Sequence, residues 1–209
     1  MKFNFYALKL TVLIVIVFIL QILINGFNEL FVLNESSWRE PWRFFSAVFL
    51  HGGIGHLAYN SLALLLFGSI LERFVGGKRF ILTFLVTGVL ANMISVNFYS
   101  VSLGASGAIF GIIGALVFVS PGMTVWAFGM PMPMVIAGGL WMIGDLIGAY
   151  GFLSGNPVDS TGNIAHLAGI IFGFILGWRF RKLIRKVGKR RNVSIDEGAV
   201  RMWEDNYIK

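Results

Sequence analysis

About six stretches of this chain, residues 8–24, 54–71, 80–98, 105–120, 131–153 and 163–180, are apolar over roughly the thickness of a bilayer's hydrocarbon core. Hydrocarbon offers no hydrogen-bond partners, so backbone entering it must satisfy every N–H and C=O internally, and runs of this length do so as helices. The expected fold is all-α: a polytopic membrane protein built as a six-helix transmembrane bundle. With 13% charged and 56% hydrophobic residues and a mean hydropathy of +0.78, the chain is far more apolar than a soluble domain, of which about a quarter is charged. The formal charge of +7 would suggest a nucleic-acid partner in a soluble protein. Here the basic residues flank apolar runs, so topology accounts for them and no nucleic-acid partner is expected. Cys is 0, which excludes disulfides, a thiolate nucleophile and a cysteine metal site.

Lys2 and Lys9 ahead of the first run give it the look of a secretory leader. The run is too long for one and ends in Asn25-Gly26-Phe27 without a small-residue cleavage site, so a retained packing or anchoring helix is expected. Residues 27–45 mix Glu29, Glu35, Arg39, Glu40 and Arg43 with Phe27, Phe31, Trp38 and Trp42, a composition that suits the membrane interface and equally an ordinary surface loop. Residues 1–180 are read as one membrane domain and 181–209 as a basic cytoplasmic tail, mobile from Asn192 onward.

After the second apolar run, Glu72, Arg73, Lys78 and Arg79 with Gly76-Gly77 mark a polar turn. Lys and Arg also set the orientation. Lys2 and Lys9, then Arg73, Lys78 and Arg79, then the run Arg179, Arg181, Lys182, Arg185, Lys186, Lys189, Arg190 and Arg191 share one side of a six-span layout. The other side holds Arg39 and Arg43 against Glu29, Glu35, Glu40 and Asp159, so both termini are expected in the cytoplasm. In this layout Ser106, His56 and His166 all fall at outer ends of their spans.

Ser106 stands in Leu103-Gly104-Ala105-Ser106-Gly107-Ala108 at the head of the fourth run. A serine hydroxyl needs a base to become a nucleophile, and the chain has 3 histidines, His51, His56 and His166. His56 and Asn60 are one helical turn apart on one face, and both side chains can donate hydrogen bonds, which suits an oxyanion better than a metal. The Ser106 N–H falls in the first turn of its helix, where unpaired donors and the dipole favour negative charge. Gly107 and Gly111 on one run and Gly169, Gly173 and Gly177 on another form small-residue stripes that let two helices approach closely, with His166 on the second stripe's face.

Taken in order, Trp42-Arg43, Phe49-Leu50-His51, His56-x-x-x-Asn60, Gly68-x-x-x-Glu72-Arg73, Gly-Ala-Ser106-Gly and Ala165-His166-x-x-Gly169-x-x-x-Gly173 resemble the signature of the rhomboid family of intramembrane serine proteases. The resemblance covers residues 38–178. It implies a Ser106–His166 catalytic dyad, an oxyanion site from His56, Asn60 and the Ser106 N–H, and no cofactor or metal. It also implies a partly embedded lateral loop at 27–45 and entry of single-span membrane substrates between the second and fifth helices. Phe110, where the family often has tyrosine, is expected to stack on His166, with Gly104, Gly107 and His51 supporting the site. Trp42 and Arg43 are read as folding and interface residues. Asp145 is the only acid deep in an apolar run; because the family uses a dyad, it is assigned to packing or support, with a partner the sequence does not name.

The expected function is hydrolysis of peptide bonds near the outer end of transmembrane segments, in a prokaryotic plasma membrane. The alternative is a non-catalytic rhomboid-like protein that binds membrane clients; such relatives typically lack one of the dyad residues, and here both stand. A transporter is disfavoured because the polar residues gather at one end of the spans. A three-histidine metal site lacks acidic ligands.

Overall fold

The computed structural model describes residues 4–157, 162–190 and 197–207. Lys2, Asp159 and Arg191, and the side chains of residues 185–190, on which part of the orientation rests, lie outside what is described. The helices are α1 (Tyr6–Leu23), α2 (Phe27–Phe31), α3 (Trp42–Ser46), α4 (Ile54–Val75), α5 (Gly77–Ser95), α6 (Ser106–Val119), α7 (Met134–Leu153), α8 (Asn163–Arg190) and α9 (Glu197–Tyr207). Of these, α1, α4, α5 and α7 are long and apolar enough to cross a membrane, and α6 is a shorter apolar helix. Large apolar side chains such as Ile22, Leu23, Leu62 and Ile147 point outward from them, a surface suited to lipid rather than water.

Two antiparallel ribbons depart from the all-α expectation. Strand β1 (Leu33–Asn34) pairs with β2 (Val101–Ser102), tying the segment after α2 to the chain ahead of α6. A hairpin, β3 (Thr124–Ala127) and β4 (Met130–Pro133), turns through Phe128 and Gly129, both at positive φ. It removes residues 131–133 from the expected fifth helix, which begins at Met134. Apolar content alone does not separate a buried strand from a helix, and Pro131 and Pro133 lack the N–H that a helix interior uses. The third helix likewise ends at Ser95 rather than Phe98, where Asn97 and Phe98 turn back to bond Ile94 O and Ser95 O. Toward the C-terminus, α8 continues past Phe180 to Arg190, and α9 occupies part of the stretch expected as a mobile tail.

The buried centre is α6, whose residues from Gly107 to Leu116 are covered almost without interruption. It packs most closely on α8, where the small-residue stripes interlock. A methyl group at Gly169 would overlap Gly107 O, one at Gly173 would overlap Gly111 O, and one at Gly177 would come within 2.5 Å of Ala115 O. Backbones this close leave no room for a side chain. On the opposite flank of α6, a methyl at Gly111 would strike Thr87 of α5.

Buried polar groups fix the periphery. Arg43, 6% exposed, donates from Nη1 to Glu29 O (2.8 Å) and Val32 O (2.9 Å) and from Nε to Glu40 (2.5 Å), binding α2 to α3. Asn92 Nδ2 of α5 donates to Phe44 O at 2.9 Å, which seats this lateral segment on the bundle and leaves Trp38, Trp42 and Phe45 outward. Glu72, read from sequence as part of a polar turn, is instead 1% exposed. Its two carboxyl oxygens accept from Asn4 N and Ala7 N, both at 3.1 Å, and so cap the first turn of α1, which has no side-chain cap of its own. Glu72→Ala strands both donors and is expected to destabilise the protein by about 2–4 kcal/mol, read as a lowered thermal midpoint in detergent, with Glu72→Gln losing less.

Candidate active site

The end of the bundle opposite Glu72 is organised by the turn into α4. Gln21, in the last turn of α1, clamps the backbone of His51: its Oε1 accepts from His51 N (2.9 Å) and its Nε2 donates to His51 O (3.1 Å). The His51 ring is 2% exposed and lies edge-on to His56 with centroids 5.2 Å apart. Burial, and after it the neighbouring His56, lower the His51 pKa to about 4, outweighing the Phe49 backbone, which raises it. His51 is therefore neutral at physiological pH and buttresses the His56 ring.

His56 and Asn60 project from the first turns of α4 into a cavity of about 910 Å³ that also receives Ser106, His166 and Trp141. Gly52 N donates to His56 Nδ1 at 3.4 Å. With Nδ1 accepting, the ring proton sits on Nε2, which makes that nitrogen a donor. Asn60 is 5% exposed, and its Nδ2 has no hydrogen-bond partner among the described residues. Gly104, at φ +133, shows why no side chain is tolerated ahead of the serine. A Cβ there would lie 2.9 Å from His56 Nε2 and 3.8 Å from Ser106 Oγ, filling the space that the two groups share.

Ser106 is the first residue of α6, and the Leu103-Gly104-Ala105 approach is held by Gly104 N donating to Ala47 O at 2.9 Å. His166 stands one turn into α8, whose start is held by Ile164 N donating to the Tyr99 hydroxyl at 3.2 Å. Because the glycine stripes bring α6 and α8 into backbone contact, His166 Nε2 comes within 2.9 Å of Ser106 Oγ. Phe110 stacks on the imidazole, with centroids 4.1 Å apart and planes 6° from parallel, which fixes the plane of the ring. On its far edge, His166 Nδ1 lies 2.9 Å from Asp145 Oδ1 of α7, at a buried site. Gly107 lines the same cavity, and a Cβ there would lie 2.8 Å from Ala91 and 3.6 Å from Ala165 O.

Sequence reasoning named the cavity groups but left Asp145 without a partner and did not single out Trp141 or Tyr99. The one available signal for Asp145 was its isolation as an acid within an apolar run. The arrangement is a hydroxyl in contact with an imidazole, beside a buried amide donor, Asn60 Nδ2, with no partner among the described residues, and the half-buried His56 ring. Such a set can deprotonate the hydroxyl and stabilise an oxyanion formed on it.

A family model described as the Rhomboid domain matches residues 38–183. Among similar curated proteins, the Rhomboid protease GluP of Bacillus subtilis is 35% identical over 153 residues, covering 71% of this chain and 27% of that protein. The mitochondrial RHOMBOID-like protein 6 of Arabidopsis thaliana is 36% identical over 141 residues, 66% of this chain and 43% of its own length. A putative rhomboid protease of Bacillus subtilis, YdcA, is 39% identical over 83 residues, 38% of this chain and 42% of that protein. The chain thus spans less than half the length of these relatives. The domain match takes in α4 to α7 whole and most of α8, the helices that carry every cavity group named above, and with these apolar helices the chain belongs to the rhomboid family as a multi-pass membrane protein.

Proposed function

We propose that the protein is an intramembrane serine endopeptidase that cleaves single-span membrane proteins near the outer end of their transmembrane segments. The observation that carries this reading is the 2.9 Å contact of Ser106 Oγ with His166 Nε2 at a cavity lined by an unpaired amide donor, Asn60. His166 takes the Ser106 proton as Oγ attacks the scissile carbonyl. The oxyanion that develops is held by Asn60 Nδ2, His56 Nε2 and the Ser106 N–H at the start of α6. His166 then gives its proton to the leaving amine, and water, activated by the same imidazole, hydrolyses the ester on Ser106. The cavity supplies the water that lipid excludes. A substrate helix has to unwind locally to expose its carbonyl, so segments with Gly, Pro or polar residues near the span end are the favoured substrates. Six spans with both termini in the cytoplasm complete the reading, which puts the cavity on the outer face; α6 and α8 are the two spans added to the four that meet the length and apolarity requirement.

The test is cleavage of a panel of single-span substrates in liposomes, with Ser106→Ala as control and the scissile bond mapped. Cleavage by the wild type alone, near the outer end of the substrate span, is the expected result, and Asn60→Ala is expected to lower kcat by about 10²- to 10³-fold. Cleavage that survives Ser106→Ala overturns the assignment. Capture of intact substrate by both forms, without cleavage, favours the client-binding alternative.

A further inference from the structure

We propose that Asp145 is a positioning residue for His166, so that the site works as a serine–histidine–aspartate triad; the inference rests on the protease reading above. A dyad requires that the neutral imidazole carry its proton on Nδ1, leaving the Nε2 lone pair free to accept from Ser106. With nothing at Nδ1 the two tautomers compete, and the form protonated on Nε2 donates to Ser106 and cannot take its proton. Asp145 Oδ1, 2.9 Å from Nδ1, is an acceptor that selects the productive tautomer. The Phe110 stack limits tilting of the ring but does not choose between nitrogens, so the two contacts do different work. When the Ser106 proton moves to Nε2, the Nδ1 proton stays on the ring, and a carboxylate beside the resulting imidazolium stabilises it in a site with little water. Asp145 itself neither gains nor loses a proton.

Two observations separate this role from plain packing. Asp145 is 6% exposed, and its Oδ2 has no hydrogen-bond partner among the described residues. A buried carboxyl kept only for packing leaves that oxygen desolvated for no return. One turn along α7, moreover, Gly148 lies so close to Asn163 that a methyl there would overlap the asparagine amide. The docking of α7 on the start of α8 therefore has a close approach of its own beside the Asp145 contact.

The experiment compares wild type, Asp145→Leu, Asp145→Asn and Ser106→Ala, full-length in liposomes, by kcat and KM on one cleaved substrate, with thermal midpoints and the spectrum of ¹⁵N-labelled histidine alongside. Asp145→Leu, similar in size but without an acceptor, is expected to lose about 10²- to 10⁴-fold in kcat with KM unchanged, and to show His166 as a mixture of tautomers. Asp145→Asn, nearly the same shape, presents its amide N–H to Nδ1, which places the ring proton on Nε2 and leaves that nitrogen unable to accept from Ser106, so its kcat is expected to fall by about 10⁴-fold with KM unchanged and His166 protonated on Nε2. If Asp145→Leu fails to fold, the asparagine variant decides alone. Folded variants with kcat within about 3-fold of wild type, or an Nδ1-protonated His166 in Asp145→Leu, overturn the inference while leaving the protease reading intact. Wild-type activity that Ser106→Ala does not remove overturns both.

Discussion

Ser106→Ala and His166→Ala are each expected to reduce kcat by about a million-fold, to the detection limit of a liposome assay, and the double variant is expected to lose no more than either alone. The reason is geometric. Ser106 Oγ and His166 Nε2 are in contact at 2.9 Å, so each depends on the other: among the described residues no other base is hydrogen-bonded to the hydroxyl and no other nucleophile to that ring nitrogen. The thermal midpoint of Ser106→Ala should stay close to wild type, because Ser106 sits at a helix start and His166 keeps its Phe110 stack, whereas His166→Ala removes that stack and leaves buried Asp145 without its contact, so its midpoint is expected to fall. Additive losses, with the double variant far below either single one, would mean that the two act in separate steps and would remove the dyad.

Gly173→Ala is expected to destabilise the protein by about 3 kcal/mol or more, the upper range for overpacking, although alanine is the better helix former. The added methyl has only the Gly111 backbone to meet, and a backbone in the buried centre does not yield as the end of a flexible side chain does. The same change at Gly139 of α7, where nothing lies within 4 Å, is expected to be neutral or to stabilise by up to about 1 kcal/mol. Thermal midpoints of the two variants in one detergent, compared with wild type, check the pair. Equal and small effects would mean that α6 and α8 are not in backbone contact. Because α6 carries Ser106 and α8 carries His166, cleavage by Gly173→Ala should fall along with stability.

Helix positions were legible in the sequence because hydrocarbon imposes one backbone solution on a long apolar run. Their ends were less legible. At 131–133 and 96–98 apolar residues continue past the point where hydrogen bonding changes partner, and hydropathy does not register that change. Glu72 was misplaced for a related reason: an acid beside Arg73, Lys78 and Arg79 has the composition of a turn, whereas its burial comes from α1 lying across it, a contact between residues 65 and 68 positions apart.

For the candidate site, residue types and spacing drew attention to Ser106, His56, Asn60 and His166, because a polar group in an apolar helix is conspicuous, while the resemblance to the rhomboid family supplied their expected roles and accompanied the expectation for Phe110. What the sequence determined by itself was therefore the class of fold, the approximate spans and the candidate chemistry, all consequences of local composition and helical period. The tertiary structure alone decided the rest: that Glu72 caps α1, that Gly52 leaves His56 Nε2 as a donor, and that Asp145 meets His166. In helices apolar on nearly every side, no periodic signal tells which face turns inward, so pairing is chosen by shape and by the few polar groups that find one another only once the helices have packed.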